Sequence, residues 1–472
     1  MSALAPFVLE IGLGLLLLIV FAAGLLARGE DRRGIAWLAT GGVLVLGVVA
    51  MFLQPAGPAL GGMFVQDGLA VFAKRVFLAA TFIGLLAGLS LPERVFARRA
   101  AEYHLLLLTS LLGMLVLASA RDLILLFLAF ELMSIPLYVL AGFLKHDAAA
   151  VEASLKFFLV GSVSSAVMVY GLSFVYGAAG TTDLARIAAL SGSAGPLLTL
   201  GLIATLVGFA FKIAAFPFHM WVPDTYEAAS TPFVAWLSVA PKAAGFVAIF
   251  RMYFEGAGGG AAAWMPVAAL LATVTMLAGN LMALPQQNTK RLLAYSGIAQ
   301  IGYMLVGLAA ASAAGTAMIL FYLVAYVFGN MGAFLVVEAL ARAEGSEATA
   351  AFRGLAQRSP LLALAMLLFL LSLGGIPFVA GFWAKLYVFW AAAERGLYWL
   401  VLLGALLTVV ALFYYLMVAK RMYIEPPERL GRVPVAPTLA VSVALCALGV
   451  VLLGLYPKAV VMAALRVAAP LF

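Results

Sequence analysis

The sequence predicts an all-α polytopic membrane protein with about fourteen transmembrane helices. Three observations lead there. Of 472 residues, 66% are hydrophobic and only 10% are charged, whereas soluble domains carry about a quarter charged residues. The apolar residues fall in runs of about 20, the length that crosses a bilayer as a helix. No polar stretch is long enough to make a soluble domain. The single cysteine, Cys446, can form neither an internal disulfide nor a cysteine metal site. The net charge of +8 does not call for nucleic acid, because loop lysines and arginines that set orientation account for it.

Taken in order, the first apolar run, near 5–27, lacks a basic start and is too long for a signal peptide, so it reads as a retained span. Further spans are expected near 34–53, 67–90, 102–119, 122–144, 154–177, 196–218, 232–252, 262–284, 290–310, 313–341, 359–382, 384–419 (only part of which spans) and 436–456. The third helix carries Asp67 at its interface end, with Lys74 and Arg75 deeper and without an evident role.

The ionisable residues inside these spans are the informative ones, because such groups are costly in hydrocarbon and mark polar paths. The fifth helix places Glu131 near mid-membrane, and Pro136 five residues later frees the carbonyl of Leu132. The stretch 208–245 repeats that spacing with Lys212 and Pro217, then carries His219, Asp224, Glu227, Pro241 and Lys242. A broken helix beside an ionisable side chain is a pointer to a transport site, although a lysine at a helix end also snorkels to the interface. The polar middle, about 221–231, reads as a surface loop. His219 fits either a proton shuttle or a capping role. In the sixth helix, Glu152 and Lys156 form an i, i+4 pair that is either an auxiliary site or an ordinary interfacial pair. Gly161, Ser162, Ser164 and Ser165 give that helix a face for close packing.

Helices nine to eleven add uncharged polar groups, Tyr295, Ser296, Gln300 and Tyr303, then Tyr322, Tyr326 and Asn330. Near helix twelve, Ile376-Pro377-Phe378 echoes Phe216-Pro217-Phe218, and Lys385 follows eight residues after the proline. Pro-broken helices 7 and 12, each with a lysine and five helices apart, are what two five-helix repeats produce, covering helices 4–8 and 9–13. The chain is then one integral membrane domain, 1–472. It holds three helices in 1–100, a first repeat in 101–255, a second in 256–422, and a C-terminal helix in 423–472.

Several segments together carry a resemblance: LAFELMSIPLYVLAGF, EASLKFFLVGSVSSA, FKIAAFPFHMWVPDTYEAASTP, PKAAG, NTKRLLAYSGIAQIGYMLVGL and GIPFVAGFWAKLYVF. They resemble the antiporter-like membrane subunits of respiratory complex I, the proton-translocating NADH:quinone oxidoreductase, and most of all the subunit N type of bacteria. The resemblance runs from Asp67 to Lys420, and beyond it the ends match only in hydropathy. It implies that the two repeats are inverted and that protons move through Glu131, Lys212, Lys242 and Lys385, with Lys385 at the exit. Lys156, His219 and Tyr303 are auxiliary candidates, and Pro136, Pro217 and Pro377 candidate helix breaks. It also implies no cofactor in this chain, with NAD, FMN, iron–sulfur clusters and quinone held by partner subunits. The partners would be other membrane-arm subunits and the lipid bilayer of a bacterial plasma membrane, with no nucleic acid. Rival readings are a subunit of a multi-subunit sodium/proton antiporter, the membrane arm of an energy-converting hydrogenase, or a structural spacer bundle.

Orientation follows from the basic residues. Of 28 lysines and arginines, sixteen lie in loops after odd-numbered helices, from Arg28, Arg32 and Arg33 to Arg429 and Arg432. Six, among them Arg121, Arg186 and Arg395, fall on the other side, and six lie within helices. By the positive-inside rule both termini face the periplasm. A reporter fused after Gly431 should therefore read cytoplasmic, and one at Phe472 periplasmic. The same compartment for both would refute this topology.

Overall fold

Backbone in lipid must satisfy its own hydrogen bonds, so the apolar runs become helices. The computed structural model describes residues 4–27, 32–91, 94–192 and 195–472. The loop residue Arg28 and the side chain of Arg94 lie outside the description. Among the described residues, thirteen helices are long and apolar enough to cross a membrane. A two-piece element, Pro360–Gly374 and Ala380–Glu394, fills the remaining place between the eleventh span, Ala313–Glu344, and the thirteenth, Tyr398–Tyr423. The count thus reaches fourteen.

The contacts divide the chain into two units. The first comprises Met1–Ile213, Ala240–Trp264 and Pro470–Phe472, and the second Ala214–Val239 and Met265–Ala469. Both boundaries near the middle of the sequence fall at helix interruptions, after Ile213 and before Ala240.

In the first unit the sixth span, Ala148–Ala179, packs on the seventh, Pro196–Ile213. Their approach is close because glycines face backbone. A Cβ on Gly171 would lie 2.4 Å from the Thr205 nitrogen, and one on Gly201 2.8 Å from that of Val175. A short antiparallel hairpin, Gly57–Ala59 with Phe64–Gln66, precedes the third span, Gly68–Gly88. Lys74 and Arg75 acquire roles here. Lys74 Nζ pairs with Glu10 of the first span at 2.7 Å and donates to Gln66 Oε1 at 2.5 Å. Arg75 caps the second span, Arg33–Phe52, donating to the carbonyls of Ala50 at 2.9 Å and Leu53 at 3.0 Å. Arg251, in the π-helical turn Phe250–Glu255 that ends the eighth span, forms a buried fork. It donates to both oxygens of Asp67, at 2.6 and 2.7 Å, to Glu255 Oε2 at 2.8 Å and to the Ala118 carbonyl. Burial pushes the Asp67 carboxyl up, but the Arg251 guanidinium and the Ala70 N–H outweigh it and hold the group below its ordinary value. Its contribution to stability is fully present above the ordinary carboxylate value and is lost as pH falls from there through the lowered native value.

In the second unit the eleventh span is central and almost wholly buried. It packs on Thr231–Leu237, on both pieces of the twelfth span, on Pro437–Leu455 and on the C-terminal helix Lys458–Ala468.

Four expectations change. The fifth span, Leu123–Ala141, runs helical through Pro136. Proline removes one bond, but Gly113 of the fourth span seats tightly on the backbone at Leu132 and Met133, and Ser110 Oγ donates to the Met133 carbonyl at 2.8 Å. Packing from outside thus holds the helix where local chemistry favours a break. The stretch expected as a loop at 221–231 contains a helix, Trp221–Ala228, whose Trp221, Val222 and Tyr226 are buried. Its acids, Asp224 and Glu227, meet Arg291 at 2.8 and 2.9 Å. The boundary expected near 382–384 is instead internal to the twelfth span, and the thirteenth begins at Tyr398 after a turn at Gly396. Lys458–Ala468, not expected as a helix, extends the C-terminus.

Lys74→Met would leave Glu10 buried without its partner, a loss that costs about 3–5 kcal/mol in comparable pairs. The variant should denature at a lower temperature, and Glu10→Gln with Lys74→Met should recover most of the loss. Equal denaturation temperatures for the single and double variants would refute the pair as a tie between the first and third spans.

Candidate functional site

Glu131 projects from the middle of the fifth span, and Ser165 Oγ of the sixth donates to its Oε1 at 2.6 Å. Ser165 belongs to the small-residue face that the sequence marks for packing, and its second use follows from a hydroxyl meeting a carboxylate in an apolar setting. Lys212 stands in the last turn of the helix Pro196–Ile213 and is 2% exposed. Among the described residues its ammonium has no hydrogen-bond partner. It lies over aromatic faces, 5.1 Å from the Phe130 centroid, 5.4 Å from Phe211 and 5.8 Å from Tyr138. Phe130 and Tyr138 sit on the same helix as Glu131, so the lysine faces that helix without a direct ion pair to the carboxylate. Ring faces attract a cation more weakly than a carboxylate does in such surroundings.

Immediately beyond Lys212 the helix stops. Ala214 takes a left-handed φ of +66°, and Pro217 has no N–H to continue the ladder. The Phe216 N–H donates instead to Thr275 Oγ1 at 3.1 Å. His219, in the same interruption, stacks on Phe216 with centroids 5.2 Å apart.

Lys242 is buried in the helix Ala240–Ile249. Gly245, one turn later on the same face, abuts the previous site. A Cβ there would lie 2.8 Å from Ile213 Cγ2 and 3.3 Å from Lys212 Cγ. The face that bears Lys242 is therefore the one packed against Lys212. Glu131, Ser165, Lys212 and Lys242 thus gather in the first unit.

Lys385 belongs to the second unit. Pro360–Gly374 ends because Gly375 takes φ +80°, a conformation that strains any side chain. Pro377 keeps the interruption open until the helix resumes at Ala380. Lys385 is buried, and its Nζ reaches back to the Gly374 carbonyl at 3.4 Å and over the Tyr303 ring at 4.3 Å. Tyr303 thereby joins Lys385. Asn280 Nδ2 donates to the Tyr303 hydroxyl at 3.1 Å, and the Tyr414 hydroxyl donates to Asn280 Oδ1 at 3.1 Å. A second cluster links Ser296 and Tyr415, 2.5 Å apart, with Gln300, whose Nε2 donates to the Leu373 carbonyl at 2.9 Å. The sequence marks these polar residues singly; their joining across helices comes only from packing.

Lys156 stands apart. It is 46% exposed and pairs with Glu152 at 2.7 Å on the outer face of the sixth span. That arrangement is an i, i+4 surface pair, not a member of the buried set.

These side chains sit in a chain with clear relatives. The profile of the NADH:quinone oxidoreductase/Mrp antiporter transmembrane family matches residues 120–411. This chain belongs to that family. The matched region contains Glu131, Lys212, Lys242 and Lys385 and leaves out the first four spans. Among family members, NADH-quinone oxidoreductase subunit N of Moorella thermoacetica is 44% identical over 95% of this chain and 93% of its own length. A chain of respiratory complex I from Thermus thermophilus superposes with a TM-score of 0.82 at 32% identity, covering 96% of this chain and 98% of that one. A chain of the Mrp complex from Dietzia sp. reaches a TM-score of 0.90 at 22% identity, covering 100% and 98%, which is a likeness of fold.

Gly245→Ala presses a methyl onto Ile213 and the Lys212 stem, and overpacking of this kind costs roughly 1–3 kcal/mol. The variant should inactivate at a lower temperature. Adding Ile213→Leu, which lacks Cγ2, should restore part of the loss. An unchanged inactivation temperature for Gly245→Ala would refute the close approach.

Proposed function

We propose that the chain is a proton-translocating membrane-arm subunit of a bacterial NADH:quinone oxidoreductase. It carries protons through Glu131, Lys212, Lys242 and Lys385, and redox chemistry in other subunits drives it. One observation supports this most directly. Lys212 is buried beside a helix break, facing the Glu131 helix, and among the described residues no hydrogen-bond acceptor holds its ammonium. A structural lysine at this depth would be locked to a carboxylate, as Lys74 is to Glu10. Lys212 is instead placed to exchange a proton.

In this reading the Glu131 carboxylate, oriented by Ser165, favours the charged lysine without clamping it. Weakening that influence leaves an ammonium among rings, and its proton passes to Lys242, whose helix packs against it. Lys385, reaching the carbonyl exposed at Gly374, releases the proton outward. His219 stands at the interruption as a candidate for proton entry. NAD, FMN, iron–sulfur clusters and quinone belong to partner subunits, so this chain is a non-redox part of a translocase in the plasma membrane, with both termini periplasmic. The antiporter reading shares the fold, but 44% identity to a subunit N over nearly the whole length favours the oxidoreductase. Co-purification of flavin- and iron–sulfur-bearing subunits would separate the two.

Lys212→Ala should abolish most proton pumping in reconstituted vesicles. Glu131→Gln should impair it, and Glu131→Asp should retain part. The decisive comparison is the double variant. If the two residues act as one switch, Glu131→Gln with Lys212→Ala should be no worse than Lys212→Ala alone. Additive losses would place them on separate paths and end the paired mechanism.

A further inference from the structure

Tyr322, Tyr326 and Asn330 lie four residues apart on the eleventh span, so they line one face of it. At about 1.5 Å per residue the row covers roughly 12 Å. Both ends are tied. Asn330 Nδ2 donates to Ser238 Oγ at 2.7 Å, in the interruption of the eighth span and four residues before Lys242 in sequence. The Tyr322 hydroxyl donates to Gln300 Oε1 at 2.5 Å. The middle is not tied. Tyr326 is 2% exposed, and its hydroxyl has no hydrogen-bond partner among the described residues, nor has Asn330 Oδ1.

Leaving a hydroxyl buried and unpaired is unfavourable, and such groups in folded proteins usually meet an ordered water. Tyr326 lines a cavity of about 10 Å³ together with Gln300, Tyr322, Ser372 and Gly381. That is room for one water, with polar partners in the wall. Gly381 is also one helical turn before Lys385 on the same face. The cavity therefore lies next to the helix face from which Lys385 projects.

We infer that the Tyr326 hydroxyl, with one water held between it, Tyr322 and Ser372, is an uncharged relay station that feeds protons to Lys385. The inference rests on the proton-translocation reading above and adds a residue which that reading does not use. A proton arriving along the proposed path forms an O–H bond at the Tyr326 oxygen as its other O–H breaks, the water does the same, and the last hop forms an N–H bond on neutral Lys385 as a water O–H breaks, so no net charge stays on a tyrosine. The Gln300 amide orients Tyr322 and carries no proton. Rotation of the hydroxyls then resets the row.

A purely structural Tyr326 makes the opposite demand. Removing an unsatisfied buried hydroxyl would leave stability unchanged or improved and pumping intact. The test uses the whole complex in vesicles, with assembly read on native gels and pumping by a pH dye. Tyr326→Phe should assemble normally yet pump at least about tenfold more slowly, as expected when a positioned proton-transfer group is lost. Ala325→Val, which fills the same cavity and keeps every hydrogen-bonding group, should slow pumping likewise. The double variant should be no slower than either single one, because both remove the same step. Lys385→Ala serves as the reference. If it stops pumping while Tyr326→Phe pumps at the native rate, the relay is overturned and the wider reading stands. If assembled Lys385→Ala also pumps normally, the wider reading falls too. Should Tyr326→Phe fail to assemble, native pumping by Ala325→Val overturns the relay by itself.

Discussion

An ionised side chain inside a bilayer is unstable unless something of opposite sign or strong dipole faces it, and the chain answers this demand in two ways. Arg251 makes a full set of charge-assisted bonds to Asp67, Glu255 and the Ala118 carbonyl. Lys74 meets Glu10, and Arg75 takes up carbonyls that the second span leaves open. These cations are locked and hold helices together. Lys212 and Lys385 are also buried, yet among the described residues the first has no hydrogen-bond partner and lies over aromatic rings, and the second reaches a carbonyl at 3.4 Å and a ring. A group that must lose and regain a proton cannot be held by contacts that all favour one state. On the proposed reading, the degree of satisfaction separates scaffold from machinery better than burial does.

Helix interruptions make the second arrangement possible. In an intact helix each carbonyl already accepts from the N–H four residues on, so less of its acceptor capacity is left for a cation. At Gly374–Gly375 the ladder stops, and the freed carbonyl is what Lys385 reaches. At Ile213 the helix stops one residue after Lys212, and the chain turns aside through Ala214. In lipid such breaks persist only where protein surrounds them, so each lies among buried side chains such as Ile213 and Leu373.

The number of spans, the two interrupted helices and the burial of the lysines could be read from the sequence, because a charge or proline inside a long apolar run violates the local pattern and is conspicuous. Three things could not. The helix Trp221–Ala228 carries Asp224 and Glu227, which read as loop until Arg291, 64 residues beyond Glu227, neutralises them. Continuity through Pro136 depends on Gly113 of another span. The polar clusters around Gln300 and Asn280 consist of residues that look unremarkable one at a time. Each of these rests on a contact distant in sequence, and hydropathy carries no information about such contacts. Lys156 lies in a segment that carries the family resemblance, and the structure places it on an open face, paired with Glu152 and apart from the buried set.

The charge balance limits how these parts can work. Glu131, Lys212, Lys242 and Lys385 would leave a net excess of two positive charges in the bilayer if all were ionised together, and only one carboxylate is available to offset three ammonium groups. Continuum and insertion costs alike make that state unfavourable by several kcal/mol. On the proposed path the lysines are therefore charged in turn. A sequential scheme needs neutral groups that pass a proton on without holding it, since each further lysine would add to the same excess. Tyrosine hydroxyls and water meet that requirement, whereas a fourth lysine or an arginine would not. The second unit accordingly carries Lys385 among tyrosines, Gln300, Asn280 and Ser372, with no carboxylate in either cluster. If protons move one at a time along the proposed path, a region short of charge and rich in uncharged polar groups is what that path requires.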